Sequence, residues 1–376
     1  MRGSPVANER GIALAVAIFA LVVIGALVAG SFYAGRLEQQ IGSNGFYAVQ
    51  AAEAAQGALT QTVQSQIGTD LLAIPVGTTV PYASVSLGGG AVATSSIKRL
   101  TQSLWLARGD GQLMNGGTAL ASRSVGQLIR LNQPDLEVNA GLTAIGKVSV
   151  SGNSSVFGYD KTPDAWSGVD CPPLDSVAGV YYRDQVTQQG SAVIKGEPNR
   201  LKDSLLTASN MLGGTSFNDL KALATLILTG NVNGIAPKTT GNPPVCDKSV
   251  EDNWGAPLDK TSPCFTYFPI IYHDGDLGIA GNGAGQGILL VEGNLSVQGT
   301  IDFYGPVIAT GSVNILGTGT DDVKFYGGVM AQDVTLDDSK LSGNAMINYS
   351  SCAIRRALQH SALPMTLSER SWVQVY

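Results

Sequence analysis

The amino-acid sequence predicts an α+β protein: a long N-terminal transmembrane and amphipathic helix followed by a mainly β exported region. Three observations support this prediction. The 25-residue run Gly11–Gly35 contains no charged residue. The chain has 47 glycines and only 14% charged residues, against about a quarter in typical soluble domains. Short strands bounded by glycine repeat in the C-terminal half, which predicts a short parallel β-solenoid, with a β-sandwich as the alternative.

The charge of the chain indicates which classes of partner it can bind. The formal net charge is −6 and the pI is about 5.0. No basic cluster is longer than the pair Arg355-Arg356. Because nucleic-acid binding requires a basic face, we expect no nucleic-acid partner. Low charge and abundant glycine favour an exported β-rich protein over a cytosolic enzyme.

The first element is a membrane-spanning helix over residues 12–35. A helix needs about 20 apolar residues to cross a bilayer, and this run is long enough. A secretory signal peptide has a shorter apolar core of about 7–15 residues before its cleavage site. We therefore expect a single-pass anchor, with a short cytoplasmic N-terminus and the rest of the chain exported.

Helical periodicity continues beyond the span, so the whole helix is predicted over residues 12–68. Its second half carries a mostly apolar stripe at steps of three and four, which indicates one face turned toward the exported domain. Gly42 and Gly45 are expected to loosen the helix between the two parts. The stripe consists of Phe46, Val49, Ala52, Gln56, Leu59, Val63 and Ile67.

Residues 69–135 predict a β-meander that rests on this helix. Ile97, Leu104 and Leu106 alternate with polar residues, as strand residues do. The triplet Gly109-Asp110-Gly111 predicts a turn within the meander.

The solenoid prediction depends on a repeat. LTAIGKVSVSGNSSVFG (142–158) and LLVEGNLSVQGTIDFYG (289–305) share one pattern, and Phe-Tyr-Gly at 303–305 recurs 22 residues later. Stacked rungs bury their apolar side chains in one core, whereas a single rung cannot. The predicted units are a first rung over 136–160, a loop and helix insertion over 161–283, further rungs over 284–350 and a C-terminal cap over 351–376.

Two motifs carry a resemblance to a known family. Arg10-Gly11 introduces the apolar helix, and FYAVQAAEAAQGAL follows it at 46–59. Together they resemble the N-terminal domain of PilX-type minor pilins, with QAAEAA as the specific part. The similarity covers residues 8–59. GDLGIAGNGAGQGILLVEGNLSVQG and SGNAMINYSSCAIRRAL in the C-terminal half also resemble parts attached to many PilX-type proteins.

The resemblance implies a processing site and a function. A prepilin peptidase would remove residues 1–11 by cutting after Gly11, so that the mature chain begins at Ile12. The helix would wait in the bacterial inner membrane and then pack among other pilins or pilus-assembly proteins. Shaft pilins carry Glu five residues after the cut, where this chain has Val16, which suggests a different packing role or a leader that is not processed. The implied function is type IV pilus or pseudopilus assembly or tip adhesion, without catalysis or cofactor.

Four cysteines suggest disulfides outside the membrane. Their separations are long and none forms a C-x-x-C pair, so zinc-ribbon spacing is absent. Cys246 and Cys264 are the nearest pair and the candidate disulfide. Three connectivities are possible if all four cysteines pair, and free or buried thiols are the alternative. The other two cysteines are Cys171 and Cys352.

Carboxylates and histidines offer little for catalysis, and we expect no catalytic, cofactor or metal site. The Asp residues of the repeat, which could bind calcium, fit solvated turns better, and His273-Asp274-Gly275-Asp276 fits a tight turn. Two other functions stay open: a plain anchored surface scaffold or adhesin, with a surface or carbohydrate ligand, and a solenoid carbohydrate-active enzyme. The carboxylates in question are Asp302, Asp321, Asp322, Asp333, Asp337 and Asp338.

Overall fold

The computed structural model describes residues 10–169, 171–316, 322–331, 339–342, 344–367 and 372–375. Within these residues the chain forms one long helix, an antiparallel sheet that packs on it, and a large sheet of stacked parallel strands. The predicted α+β class with a parallel β-solenoid is therefore confirmed, and the β-sandwich alternative is wrong.

Helix α1 spans Arg10–Gln64 without a break. Its 55 residues correspond to about 82 Å at 1.5 Å per residue. Gly42 and Gly45 lie inside the helix and do not interrupt it, contrary to expectation. In the described part of the chain, α1 is the one helix that is long and apolar enough to cross a membrane, with a mean hydropathy of 2.8 over an 18-residue window.

Four strands form an antiparallel meander beside α1, after the short helix α2, Gly68–Ala73. The Gly109-Asp110-Gly111 turn prediction is wrong, because these residues lie in the middle of a strand. Gly89 and Gly116, with φ of 60° and 55°, occupy the actual hairpin turns. The strands are β1 Thr79–Gly88, β2 Ala91–Arg99, β3 Trp105–Asn115 and β4 Thr118–Asn132.

Small residues join α1 to the sheet. Ala51 and Ala55 are fully buried against β3. A Cβ added to Gly109 would overlap the carbonyl oxygen of Ala55, and one added to Gly111 would overlap that of Ala51. Glycine is therefore required at both positions because the backbones of helix and strand are in contact.

The N-terminal members of the predicted apolar stripe of α1 do not lie on the side of the helix that the sheet covers. Phe46 and Val49 are 60% and 55% exposed. Ala54 and Ala58, which the stripe omitted, are buried, and of its upper members Leu59 is buried as expected. The pattern followed large apolar side chains, whereas the contact with β3 selects small ones.

The parallel sheet uses short strands from both halves of the exported region. Its first part is β5 Ala140–Ala144, β6 Val148–Val150, β7 Ser155–Phe157, β8 Ala178–Tyr182, β9 Val186–Gln188, β10 Val193–Lys195 and β11 Arg200–Lys202. Helix α3, Phe217–Ala222, precedes β12 Leu226–Leu228, β13 Val232–Ile235 and the small hairpin β14 Thr239–Thr240 and β15 Val245–Cys246. The remaining strands are β16 Ile270–Asp274, β17 Leu277–Gln286, β18 Ile288–Glu292, β19 Leu295–Gln298, β20 Thr300–Ala309, β21 Val313–Leu316, β22 Asp322–Ala331, β23 Ser339–Ser342 and β24 Asn344–Tyr349.

The register of the rungs confirms the repeat seen in the sequence. In the parallel pair β20–β22, Phe303 lies beside Phe325 and Gly305 beside Gly327. Alternate residues of each strand enter a continuous apolar core inside the coil. One Phe-Tyr-Gly unit therefore stacks directly on the next, as a solenoid requires.

The rungs do not stack in chain order. The first rung, β5–β7, pairs in parallel with β22, β23 and β24, which end the repeat. Strands β8–β11 continue the stack beyond β5–β7, and β12–β13 pair with β16–β17 at its other end. The beginning and the end of the solenoid region thus meet in the middle of the stack.

The segment 161–283 is richer in strands than the expected insertion. It contributes β8–β13, β16 and the first part of β17 to the parallel sheet. Several of these strands have three residues, and β10 buries only Ile194. An apolar pattern this short carries no readable period, so the sequence concealed the rungs.

The C-terminal segment flanks the solenoid instead of capping its end. Helix α4, Ser351–His360, packs on β20 and β22 in the middle of the stack. Ala357 lies beside Gly305. Strands β25 Leu363–Thr366 and β26 Trp372–Val375 then pair with β4 and extend the antiparallel sheet.

Contacts near α2 fix the solenoid to the helix-bearing sheet. The Gly68 amide donates to the Ala362 carbonyl over 2.7 Å. A Cβ at Gly68 would overlap carbonyl oxygens at the C-terminus of α4. Lys248 Nζ lies 3.2 Å from Asp70 Oδ1. The two sheets are therefore held together through α2 and α4.

Candidate functional site: the exposed apolar helix

The N-terminal part of α1, from Ala13 to Val49, exposes apolar side chains along its whole length. From Ala13 to Val49 the helix touches little else in the described structure. Large apolar residues on it are exposed on every side, which is costly in water. They are Leu14, Val16, Ile18, Phe19, Leu21, Val22, Val23, Ile24, Leu27, Val28, Phe32, Tyr33, Leu37, Ile41, Phe46 and Val49.

This exposed surface is longer than a bilayer can cover. The hydrocarbon core is about 30 Å thick, which about 20 helical residues span. Arg36 and Glu38 mark the end of the uncharged run, whereas full burial against the sheet begins at Ala51. Residues 37–50 therefore form about 20 Å of helix between the uncharged run and the fully buried part of α1. This stretch still exposes Ile41 and Phe46.

The apolar side chains of this stretch lie on two sides of the helix. Leu37 and Ile41 precede Ala55 and Leu59 by 18 residues, which is five helical turns, so they continue the side that the sheet covers above. Phe46 lies 18 residues before the exposed Gln64 and therefore faces away from the sheet. No single neighbour can cover both sides.

The apolar surface continues onto the sheet at its lower edge. A groove of about 240 Å³ lies beside Ala54, bounded by Leu87 and Gly88 at the end of β1. Leu87 is nearly half exposed, and Glu53 contributes a carboxylate to the same groove. The groove therefore offers an apolar wall and one negative charge just above Phe46 and Val49.

The predicted processing site lies at the start of α1. Gly11 and Ile12 are part of the helix, while residues 1–9 of the expected leader lie outside the described residues. Cleavage after Gly11 stays a prediction. Val16, five residues after the predicted cut, is exposed on the helix surface.

Both disulfides lie in the solenoid region. Cys246 and Cys264, the pair that the sequence singled out, are joined, with their Cα atoms 4.8 Å apart. Cys171 and Cys352 are joined across 181 residues of sequence, with a Cα–Cα distance of 5.4 Å. No local signal could identify this second pair, because only folding brings α4 to the loop that contains Cys171.

The candidate carboxylates do not form an evident catalytic group. Asp302 lies on the outer face of β20, and burial raises its pKa while Lys324 partly offsets that effect. Lys324 Nζ lies 3.3 Å from Asp322 Oδ2. Within the ranges that the structure describes, no group of three or more His, Cys, Asp or Glu could hold a metal ion. Four of the candidates, Asp321, Asp333, Asp337 and Asp338, lie outside those ranges.

His273 has a structural environment. Its ring nitrogens lie 3.2 Å from the Leu228 carbonyl oxygen and 3.1 Å from the Asp276 carbonyl oxygen. The ring is buried between β12 and the turn after β16. This agrees with the tight-turn interpretation, because both nitrogens face backbone oxygens.

The tryptophans and the glycine-rich stretch 281–287 are also part of the packing. Trp105, Trp166 and Trp254 are fully buried, so their rings offer no surface to a carbohydrate ligand, and the side chain of Trp372 is not described. The glycines of 281–287 belong to β17 and its end. The sequence analysis did not identify Leu87, and it did not assign a packing role to Gly109 and Gly111, because the groove and the contact between α1 and β3 form only in the folded chain.

Comparisons with known proteins add one finding. No family model and no curated protein matches the chain. Among solved structures, the crystal structure of the competence-associated pilin ComZ from Thermus thermophilus matches with 10% identity and a TM-score of 0.23, over 88% of this chain and 97% of that one. A TM-score this low does not establish a shared fold.

Proposed function

We propose that this chain is a pilin-like protein of a type IV pilus or pseudopilus, related to the PilX-type minor pilins. Its N-terminal helix anchors it in the bacterial inner membrane and then packs among the helices of other pilins. The exported sheets lie outside the membrane. In this role the protein is not an enzyme and needs no cofactor.

The observation that carries this proposal is that α1 exposes apolar side chains beyond the segment that would lie in the membrane. An anchor alone needs apolar side chains only in the lipid, over about 20 residues. Here Ile41, Phe46 and Val49 stay exposed beyond the charged residues that end the span. Neighbouring helices in a filament would cover these side chains on both sides, whereas lipid would not reach them.

The sequence supports the same function. The PilX-like motif QAAEAA at 50–55 supplies the alanines that pack against Gly109 and Gly111. The motif therefore has a physical role in this chain: it lets a strand approach the helix backbone closely. Val16 in place of Glu suggests a position other than the repeating shaft, such as the tip, where the solenoid could contact surfaces or partner cells.

The N-terminal residue of the protein extracted from its native membrane tests this proposal. A mature chain that starts at Ile12 is the expected result, since a prepilin peptidase would cut after Gly11. A start at Met1 or Arg2, unchanged in a strain without that peptidase, would refute it.

The second candidate is a plain anchored surface scaffold or adhesin. The observation in its favour is that the two sheets are joined through α2 and α4, so the solenoid could display a binding surface without any filament. It predicts an uncut N-terminus and no contact of residues 37–50 with other helices.

A further inference from the structure

Arg356 on α4 is a largely buried cation with an unusual environment. Its guanidinium carbon lies 5.0 Å from the ring centroids of Trp166 and Phe265 and 5.1 Å from that of Phe268. Its Nε atom is buried and has no hydrogen-bond partner. Across the described side chains, no ion pair joins Arg356 to an Asp or Glu.

The other buried arginine shows what a structural role looks like. Arg99 donates hydrogen bonds to the carbonyl oxygens of Leu72, Ile74, Thr101 and Gln102. Its guanidinium is therefore satisfied by the backbone around it. Arg356 has aromatic faces in place of these acceptors.

Aromatic rings compensate only part of the cost of burying this charge. Burial lowers the pKa of Arg356 to about 10 because the charged form is desolvated. Ring faces attract the cation, but they do not satisfy the buried Nε–H as a carbonyl or carboxylate oxygen would. A partly desolvated guanidinium without a carboxylate partner favours an incoming oxyanion, since it has less water to lose than an exposed one.

Two other cations bond to the loop that follows Trp166. Arg355 donates to the Pro172 carbonyl over 3.1 Å, and Lys260 donates to the Ser167 carbonyl. The nearby carboxylate of Asp164 pairs with Lys161 at 3.4 Å. The disulfide from Cys171 holds this loop against α4, so the arrangement is preformed.

We propose that Arg356, framed by Trp166, Phe265 and Phe268, binds an oxyanion: the carboxylate or phosphate group of a small acidic ligand. Arg356 and Phe265 are each partly exposed, so a ligand can approach them from solvent. The planar guanidinium suits a two-pronged contact with either group. This site does not depend on whether the helix enters a filament.

Calorimetric titration of the detergent-solubilised full chain tests the proposal. The probes are glucuronate, inorganic phosphate and uncharged glucose, all at one ionic strength. We expect glucuronate or phosphate to bind and glucose not to bind. The anion that binds identifies the group, a sugar carboxylate or a phosphate.

Two variants on the same helix show whether binding depends on this guanidinium. Arg356→Met should weaken anion binding at least about tenfold, because it removes a charge-assisted contact. The matched control Arg355→Met, one residue away, should leave it unchanged. If Arg356→Met does not fold, Arg356→Lys is the substitute variant. It keeps the positive charge but lacks the planar guanidinium that contacts an oxyanion at two points, so it should also weaken anion binding. Absence of anion binding, or equal binding by wild type and the Arg356 variant, would overturn the proposal.

Discussion

Replacing Gly111 by alanine should weaken the contact between α1 and the sheet. The added Cβ would overlap the carbonyl oxygen of Ala51 and lie 2.6 Å from the backbone nitrogen of Ala55. Both contacts are with backbone atoms, which cannot rotate away as a side chain can. Helix and strand must then separate, and overpacking of this kind costs about 1–3 kcal/mol.

Hydrogen exchange of the β3 amides, 105–115, is the assay, since it reports on this contact and not on the solenoid. A loss of about 1–3 kcal/mol should speed exchange roughly 5- to 150-fold where opening of the sheet limits it. The matched control is Gly57→Ala on the same helix, whose Cβ would meet Leu87 at an ordinary 3.6 Å. That change should slow exchange or leave it unaltered, because alanine favours the helix by about 1 kcal/mol. Equal exchange rates of the β3 amides in Gly111→Ala and in the wild type would refute the close backbone contact between α1 and β3.

Two further predictions concern the exposed helix and a buried histidine. Phe46→Cys and Val49→Cys should crosslink to other pilins in assembled filaments, whereas a cysteine at the exposed Lys98 of β2 should not; equal crosslinking at all three positions would contradict a helix contact. Burial, with the charge of Arg356, lowers the pKa of His360 to about 3, below the unfolded value of about 6.5. The unfolded chain thus binds the proton first, and the free energy of unfolding should fall by up to about 1.4 kcal/mol per pH unit as pH drops from 6.5 toward 3. His360→Phe, which keeps the stacking on Phe268, should lose this part of the acid sensitivity, so a stability difference from wild type that does not vary with pH would disprove it.

Much of the architecture was predictable because it depends on local pattern. The apolar run and the continuing helical period predicted one long helix, and α1 spans Arg10–Gln64. The Phe-Tyr-Gly repeat predicted stacked parallel strands, and Phe303 lies beside Phe325. In both cases neighbouring residues carry the signal themselves.

Predictions were wrong where a part of the chain distant in sequence determines the secondary structure or the burial of a residue. Gly109 and Gly111 look like a turn in isolation, but they lie in β3 because the α1 backbone passes against them. Phe46 looks like a core residue but is exposed. Its surroundings depend on where the sheet meets the helix, which no local period encodes.

The oxyanion site at Arg356 could not be read from the sequence either. Trp166, Phe268 and Arg356 come from three segments far apart in the chain. Only the placement of α4 along the middle rungs, together with the disulfide between Cys171 and Cys352, brings them together.

The sequence by itself determined the helix, its apolar length and the repeat of short strands, because hydrophobic length and periodicity act over neighbouring residues. Only the tertiary structure decided which rung stacks on which. The rungs that the sequence reveals share one glycine-bounded pattern and could pair with one another, so pairing of β5–β7 with β22–β24 depends on how the whole coil closes its core. The same closure placed α4 against the flank, where β20 and β22 bury its apolar face.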